Sequence, residues 1–253
     1  MRIYDLSVPL RNYSMEVQEQ EVRYVDHREF ARRLAYMFGV QPQAIPVPGV
    51  HQSFEYVNLS SHAGTHVDAP SHYGPSKEGK IGRHIDEIPL EWCFAPGVKL
   101  DFSHIPPDVA IGVDDFKAEL DRIGYTIRPL DIVMIRTGAE CYIDDLKYRE
   151  KGAGITAEAC HWLLDQGVKV IGTDSVTLDQ PHRIMAEKLN AGDTYAWFPV
   201  HYVGREREYL MIEKLNNLGR LPRPFGFKVA AFPVRIERGS GGWCRAVAIF
   251  DDD

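Results

Sequence analysis

The chain has 253 residues, 44% hydrophobic and 26% charged, with a formal net charge of -7. This composition fits an ordinary globular protein and excludes long disorder, and the acidic balance excludes the basic face that nucleic acid requires. No apolar run is long enough to cross a bilayer, so neither nucleic acid nor membrane is an expected partner, and small molecules are the expected ligands.

The amino-terminal residues 1–10 alternate like a strand and lack the charged and apolar regions of a secretory signal, which predicts a cytoplasmic protein. A strand is expected at 2–6. An inserted segment at about 22–49 follows, with an amphipathic helix at 27–38 and a proline-containing loop at 39–49. It reads either as a lid or as a surface helix closing a sheet edge. Further strands rich in β-branched and aromatic residues are expected at 54–59, 97–102, 132–136, 168–172, 209–212, 227–236 and 243–250. Between them, Phe116, Leu120 and Ile123 recur at helical spacing behind a cap at Asp114, and a second helix runs from a Thr156 cap to a stop at Gly167. The helix–strand alternation from Asp114 to Thr173 predicts crossover connections. The last two strands read as an antiparallel hairpin turned through the glycines at 239–242, and residues 251–253 as a solvated acidic tail. Residues 1–253 are thus expected to form a single α/β domain with a mixed β-sheet and flanking helices. Cys93, Cys141, Cys160 and Cys244 are widely separated and read as free thiols rather than metal ligands.

The most informative run is His62-Ala-Gly-Thr-His66-Val-Asp68-Ala-Pro70-Ser-His72, which places three of the ten histidines and a carboxylate within eleven residues. Neutral imidazole and carboxylate suit zinc, manganese or iron. In a straight strand His62 and His66 would stand about 13 Å apart, too far for one ion. The backbone must therefore bend, and Gly64 permits it. His66 and Asp68, two apart, share a face.

The pattern HxGTHxDxPxH resembles the signature of the cyclase family of metal-dependent hydrolases, whose members include bacterial kynurenine formamidases and isatin hydrolases. Weaker likenesses extend to Asp5-Leu6-Ser7, Ile135-Arg136-Thr137-Gly138 and Gly172-Thr173-Asp174-Ser175. The resemblance implies a swivelling β/β/α fold and a homo-oligomer, a dimer or tetramer. It also implies metal ligation by His62, His66 and Asp68, with His72 as general acid and base. His201 and Glu213 have the spacing of a further histidine and glutamate that complete a second metal position in the formamidases. The implied cofactor is Zn2+ or Mn2+, one ion or two. Arg11-Asn-Tyr-Ser-Met-Glu and the segment at 22–49 depart from the formamidase pattern, where the corresponding region helps hold an aromatic substrate.

These groups predict amide hydrolysis by water without an acyl-enzyme, and the resemblance implies a linear amide as in N-formylkynurenine or a cyclic one as in isatin. A lactone or ester hydrolase of the same family, and a binding protein with an idle His72, are the competing readings. Tyr195, Trp197, Phe198 and Tyr202 read either as a wall for an aromatic substrate or as core. Asp174 reads as a site residue at a strand end or as the cap of a turn. His51, His84, His104, His161 and His182 are taken as structural.

Overall fold

The computed structural model describes residues 1–12, 20–44, 47 and 49–251. Residues 13–16 of the departing segment, 45, 46 and 48 of the proline-containing loop, and 252–253 of the acidic tail lie outside the described residues. In chain order the main elements are β1 (Arg2–Asp5), β2 (Glu21–Val25), α1 (His27–Phe38), β3 (Phe54–Asn58), β4 (His66–Asp68), β5 (Phe94–Asp101), α2 (Val113–Ile123), β6 (Ile132–Arg136), α3 (Ala157–Asp165), β7 (Val170–Thr173), α4 (His182–Asn190), α5 (Pro199–Gly204), β8 (Leu210–Glu213), β9 (Phe227–Ala230), β10 (Gly241–Trp243) and β11 (Val247–Phe250). They fall into two compact units, Met1–Pro9 with Ser61–Asp253, and Leu10–Ser60.

The larger unit holds a nine-stranded mixed sheet in the order β1-β11-β9-β5-β6-β7-β8-β4-β10. Its parallel centre runs from β5 to β8, with antiparallel strands on either side. The centre is parallel because α2 and α3 supply the crossovers that parallel pairing requires. Ile132, Val133, Met134 and Ile135 of β6 are all fully buried, the continuous apolar run expected of a strand covered on both faces. Val133 and Ile135 pack with Phe116 and Leu120 of α2 and Leu163 of α3, while Ile132 and Met134 pack with Val67, Leu210 and Val229 on the opposite face. Burying each such side chain contributes about 1.5–3 kcal/mol.

The expected cap of α3 is present, with the Thr156 hydroxyl accepting from Ala159 N–H at 3.1 Å and Gly167 leaving the helix at φ 85°. For α2 the sequence expectation needs correction. The cap is Gly112, whose N–H donates to the Asp115 carboxylate at 2.8 Å, and Asp114 lies within the first turn.

Two further differences concern the chain's end. The strand expected at 227–236 stops at Ala230, before Pro233, which lacks the N–H a ladder uses. The strand expected at 243–250 splits in two. Gly241–Trp243 pairs with β4, and Val247–Phe250 pairs antiparallel with β9. The expected hairpin partners are therefore correct, but the glycines are not a simple turn. Gly241 and Gly242 begin an edge strand beside the histidine motif.

In the smaller unit β2 and β3 pair antiparallel, from Glu21 opposite Asn58 to Val25 opposite Phe54. The helix α1 matches its expected bounds. Asp26 accepts from Arg28 and Glu29 N–H at 2.9 and 2.7 Å, which holds its carboxyl below the usual range, and Gly39 closes the helix at φ 64°. β2, with its alternating charged and apolar residues, escaped the sequence reading. Among the described residues no helix is long and apolar enough to cross a membrane, and all four cysteines are free thiols.

Candidate metal centre

The histidine motif is a three-residue strand held between two others. In β4, His66 lies directly opposite Glu213 of β8 and opposite Trp243 of β10, and Asp68 lies opposite Gly241. Directly opposed residues share a sheet face, as do residues two apart along a strand, so His66, Asp68 and Glu213 project together. The bend that the sequence demanded occurs at Gly64, with φ 59°. It brings His62 back to the Asp68 carboxylate, with Nδ1 2.6 Å from Oδ1.

The close approach of His62 depends on Gly241. A Cβ there would stand 2.6 Å from His62 Cε1 and 3.0 Å from Val67 O. The next residue back, Ser240, has its hydroxyl 3.0 Å from His62 Nε2. Sequence reasoning saw a hairpin turn in this stretch, whereas Gly241 makes room for an imidazole. Thr65 ties the motif to two other segments: its hydroxyl donates to Lys214 O at 2.6 Å and accepts from Val8 N–H at 2.9 Å.

Two sets of donor atoms, each within 4.8 Å of one another, meet at Asp68. One comprises His66, Asp68 and Glu213; the other His62, Asp68 and His72. His66 Nε2 stands 3.1 Å from Asp68 Oδ1 and 3.3 Å from Glu213 Oε2, while its Nδ1 is 2.9 Å from Gly64 O. His66 and Asp68 are fully buried; among the described residues His66 Nε2 lies near both carboxylates without hydrogen-bond geometry to either, and Asp68 Oδ2 has no hydrogen-bond partner. Buried polar atoms are otherwise nearly always satisfied, so this donor set fits a divalent cation of the kind that accepts imidazole and carboxylate.

Proton affinities point the same way. Burial alone would disfavour an imidazolium at His66, but Asp68 and Glu213 more than offset it and raise its pKa to about 9. Asp68 loses solvation too, yet the neighbouring histidines hold it well below the usual carboxylate range. With no metal, the carboxylates draw a proton onto His66. A cation in the same place would meet the same negative field.

His72 sits in a tight turn, Pro70–Tyr73, with its ring centroid 4.2 Å from that of His62 and 5.5 Å from that of His201. Burial lowers its pKa below the ordinary histidine value. The turn is fixed by its neighbour Tyr73, which stacks on Tyr209 at 4.9 Å and lies flat against Gly204 of α5, where a Cβ would come within 2.1 Å of the ring.

His201, on the first turn of α5, stands outside both donor sets. Its Nδ1 is 2.5 Å from the carboxylate of Asp179, and its ring edges against Phe198 at 5.2 Å. Burial opposes its charge, but Asp179, Glu213 and Asp68 together raise its pKa to about 9. Glu213 is thus brought to His66 and Asp68, while His201 faces His72 from another element.

Sequence reasoning passed over Asp179 and took His182 as structural. The ring of His182 lies 5.4 Å from that of Phe198, and burial is the main cause of its lowered pKa, opposed by Glu213 and Asp179. Both lie between β7 and α5, in a stretch with neither strand alternation nor a recognisable ligand spacing. The aromatic group divides. Trp197 and Phe198 accompany His201, whereas Tyr195 and Tyr202 line a separate cavity of about 680 Å³ with His161 and Lys188. Asp174 serves the turn after β6: it accepts from Thr137 N–H and Oγ1–H and from Gly138 and Glu140 N–H, at 2.6–3.3 Å.

The chain is similar to several known proteins. An isatin hydrolase of Roseibium aggregatum is 28% identical over 207 residues, covering 78% of this chain and 74% of that protein. A kynurenine formamidase of Salinibacter ruber is 27% identical over 191 residues, covering 76% and 77%. Among solved structures, an isatin hydrolase bound to the product analogue thioisatinate superposes with a TM-score of 0.73 at 22% identity, covering 99% of this chain and 92% of that one. Isatin hydrolase A from Ralstonia solanacearum gives 0.72 at 24% identity with the same coverage, which shows a shared fold. The family described as Putative cyclase matches residues 4–180, and the chain belongs to it.

Proposed function

We propose that this protein is a metal-dependent hydrolase that cleaves a C–N amide bond in a small aromatic substrate. The observation that carries the proposal is the buried set His66, Asp68 and Glu213, with unsatisfied atoms on His66 and Asp68, beside an imidazole of lowered proton affinity at His72. The relatedness to an isatin hydrolase and a kynurenine formamidase supports a cyclic or a formyl amide as substrate.

His66, Asp68 and Glu213 would hold a divalent ion, zinc or manganese, with His201 as the further ligand that the family resemblance implies for a second ion. Such an ion supplies Lewis acidity to the substrate carbonyl and lowers the pKa of water. The residues of the chain do the rest. His72, neutral near pH 7 because of its burial, takes a proton from the attacking water as the C–O bond forms, and returns it to the leaving nitrogen as the C–N bond breaks. His62 is held by Asp68 and Ser240 on its two nitrogens, and its ring packs against that of His72 at 4.2 Å with a tilt of 34°, which restrains the general acid and base. Phe198, with Trp197 packed against it, offers an aromatic edge beside His201 for a planar ring.

The test is to measure metal by elemental analysis and to assay N-formylkynurenine and isatin before and after chelation. Turnover that vanishes on chelation and returns with zinc or manganese is the expected result. Bound metal with no turnover of any amide, imide or lactone would instead favour a binding protein, and turnover of lactones alone an ester hydrolase.

A further inference from the structure

We propose that Asp179 is a positioning residue, which fixes His201 by holding its Nδ1 so that Nε2 is presented to the cluster of His72, Asp68 and Glu213. This rests on the metal-centre reading given above, with His201 Nε2 taken as a ligand added to the His66, Asp68 and Glu213 set.

The Asp179 side chain is fully buried and divides its two oxygens. Oδ2 lies 2.5 Å from His201 Nδ1, and Oδ1 accepts from Val200 N–H at 2.7 Å. The second bond does work that the local sequence cannot. α5 begins at Pro199 after Phe198, which sits in the left-handed region at φ 50° and offers no side-chain cap. A carboxylate twenty-one residues earlier thus satisfies the first free N–H of the helix and orients the imidazole on the next residue.

Asp179 can act as a fixed point because its own backbone is clamped. A Cβ on Gly154 would stand 2.2 Å from Gln180 N and 2.3 Å from Asp179 C, so that peptide rests directly on Gly154. Leu178 O accepts from Ile155 N–H at 2.9 Å. With Nδ1 committed to Asp179, the opposite edge of the ring carries Nε2, on a ring whose centroid lies 5.5 Å from that of His72. A carboxylate that accepts only can hold a proton on Nδ1 and leave the Nε2 lone pair for a ligand.

The decisive substitution is Asp179→Asn. Its amide oxygen can still accept from Val200 N–H, so α5 keeps its cap. Its N–H now donates to His201 Nδ1 and moves the ring proton to Nε2, where it occupies the lone pair that a metal needs. The metal-stripped full chain is compared as wild type, Asp179→Asn and Asp179→Glu. Zinc affinity is read by chelator competition, the His201 ring-proton position by two-bond nitrogen–proton correlation above its titration, and folding by thermal melting. Asp179→Asn should bind zinc about 10–100-fold more weakly at an unchanged melting temperature, with the ring proton moved from Nδ1 to Nε2. Asp179→Glu should recover part of the affinity. Unchanged affinity and ring proton in Asp179→Asn would overturn the proposal, as would a lowered melting temperature with unchanged affinity, the mark of a cap alone. If wild type binds no zinc, the metal reading fails, and an unmoved ring proton would then overturn the role of Asp179 separately.

Discussion

Two carboxylates in the same sheet are equally buried and oppositely treated. Asp174, at the end of β7, is fully enclosed and accepts four hydrogen bonds, two on each oxygen. Burial still pushes its pKa up to about 6, against the bonds that favour its charged form. Asp68, in β4, is as deeply enclosed, but its Oδ1 faces two histidines and its Oδ2 has no protein partner. A satisfied buried carboxylate ties loops together. An unsatisfied one amid imidazoles is held ready for something the chain does not supply.

The largest expected effect lies on the unsatisfied side. His72→Ala should lower turnover by about two to four orders of magnitude while metal content, measured by elemental analysis, stays unchanged. Retained turnover would remove His72 from the chemistry. Next in size is the stability of the metal-free protein against pH. His66 has a raised pKa, so its contribution is fully present below its ordinary value of 6.5 and is lost as pH rises to about 9. Melting of the chelated protein should therefore weaken across that window by up to about 3 kcal/mol, and added zinc should flatten the decline. A flat profile without metal would deny that Asp68 and Glu213 act on His66.

The contrast itself is sharpened by replacing each carboxylate with its amide. Asp174→Asn leaves N–H donors facing an N–H donor and should destabilise the chain by about 1–3 kcal/mol in denaturant unfolding. Asp68→Asn should weaken zinc binding far more than it changes the unfolding of the metal-free chain. If the two substitutions behave alike, the distinction between structural and ligand-ready carboxylates is lost. The smallest expected effect on stability is at Gly241→Ala, a crowding of His62 that should cost about 1 kcal/mol of folding stability and appear mainly as weaker metal binding.

The sequence made the site's first half readable because it is contiguous. His62, His66 and Asp68 lie within seven residues, Gly64 marks the bend between them, and the periodicity of β4 puts two of them on one face. Glu213 could be paired with them only through a family spacing. Its position opposite His66 is a register, and registers between distant strands are set by packing rather than by local pattern. The helix α1 by its period, β6 by its continuous apolar run and α3 by its Thr156 cap were legible because those signals are written locally. Gly241 and Ser240 were misread because a glycine that yields space to a side chain looks, in sequence, like a glycine that turns. Asp179 left no signal, since its partners Val200 and His201 are reached only through the fold.

The most direct measurement is the divalent-metal content of the purified chain beside that of Asp68→Ala, both after dialysis against buffer with trace zinc and manganese. Stoichiometric metal in wild type, and its loss in a variant that still melts cooperatively, is the predicted result. Equal metal in both proteins, or none in wild type, would contradict a metal centre built on Asp68.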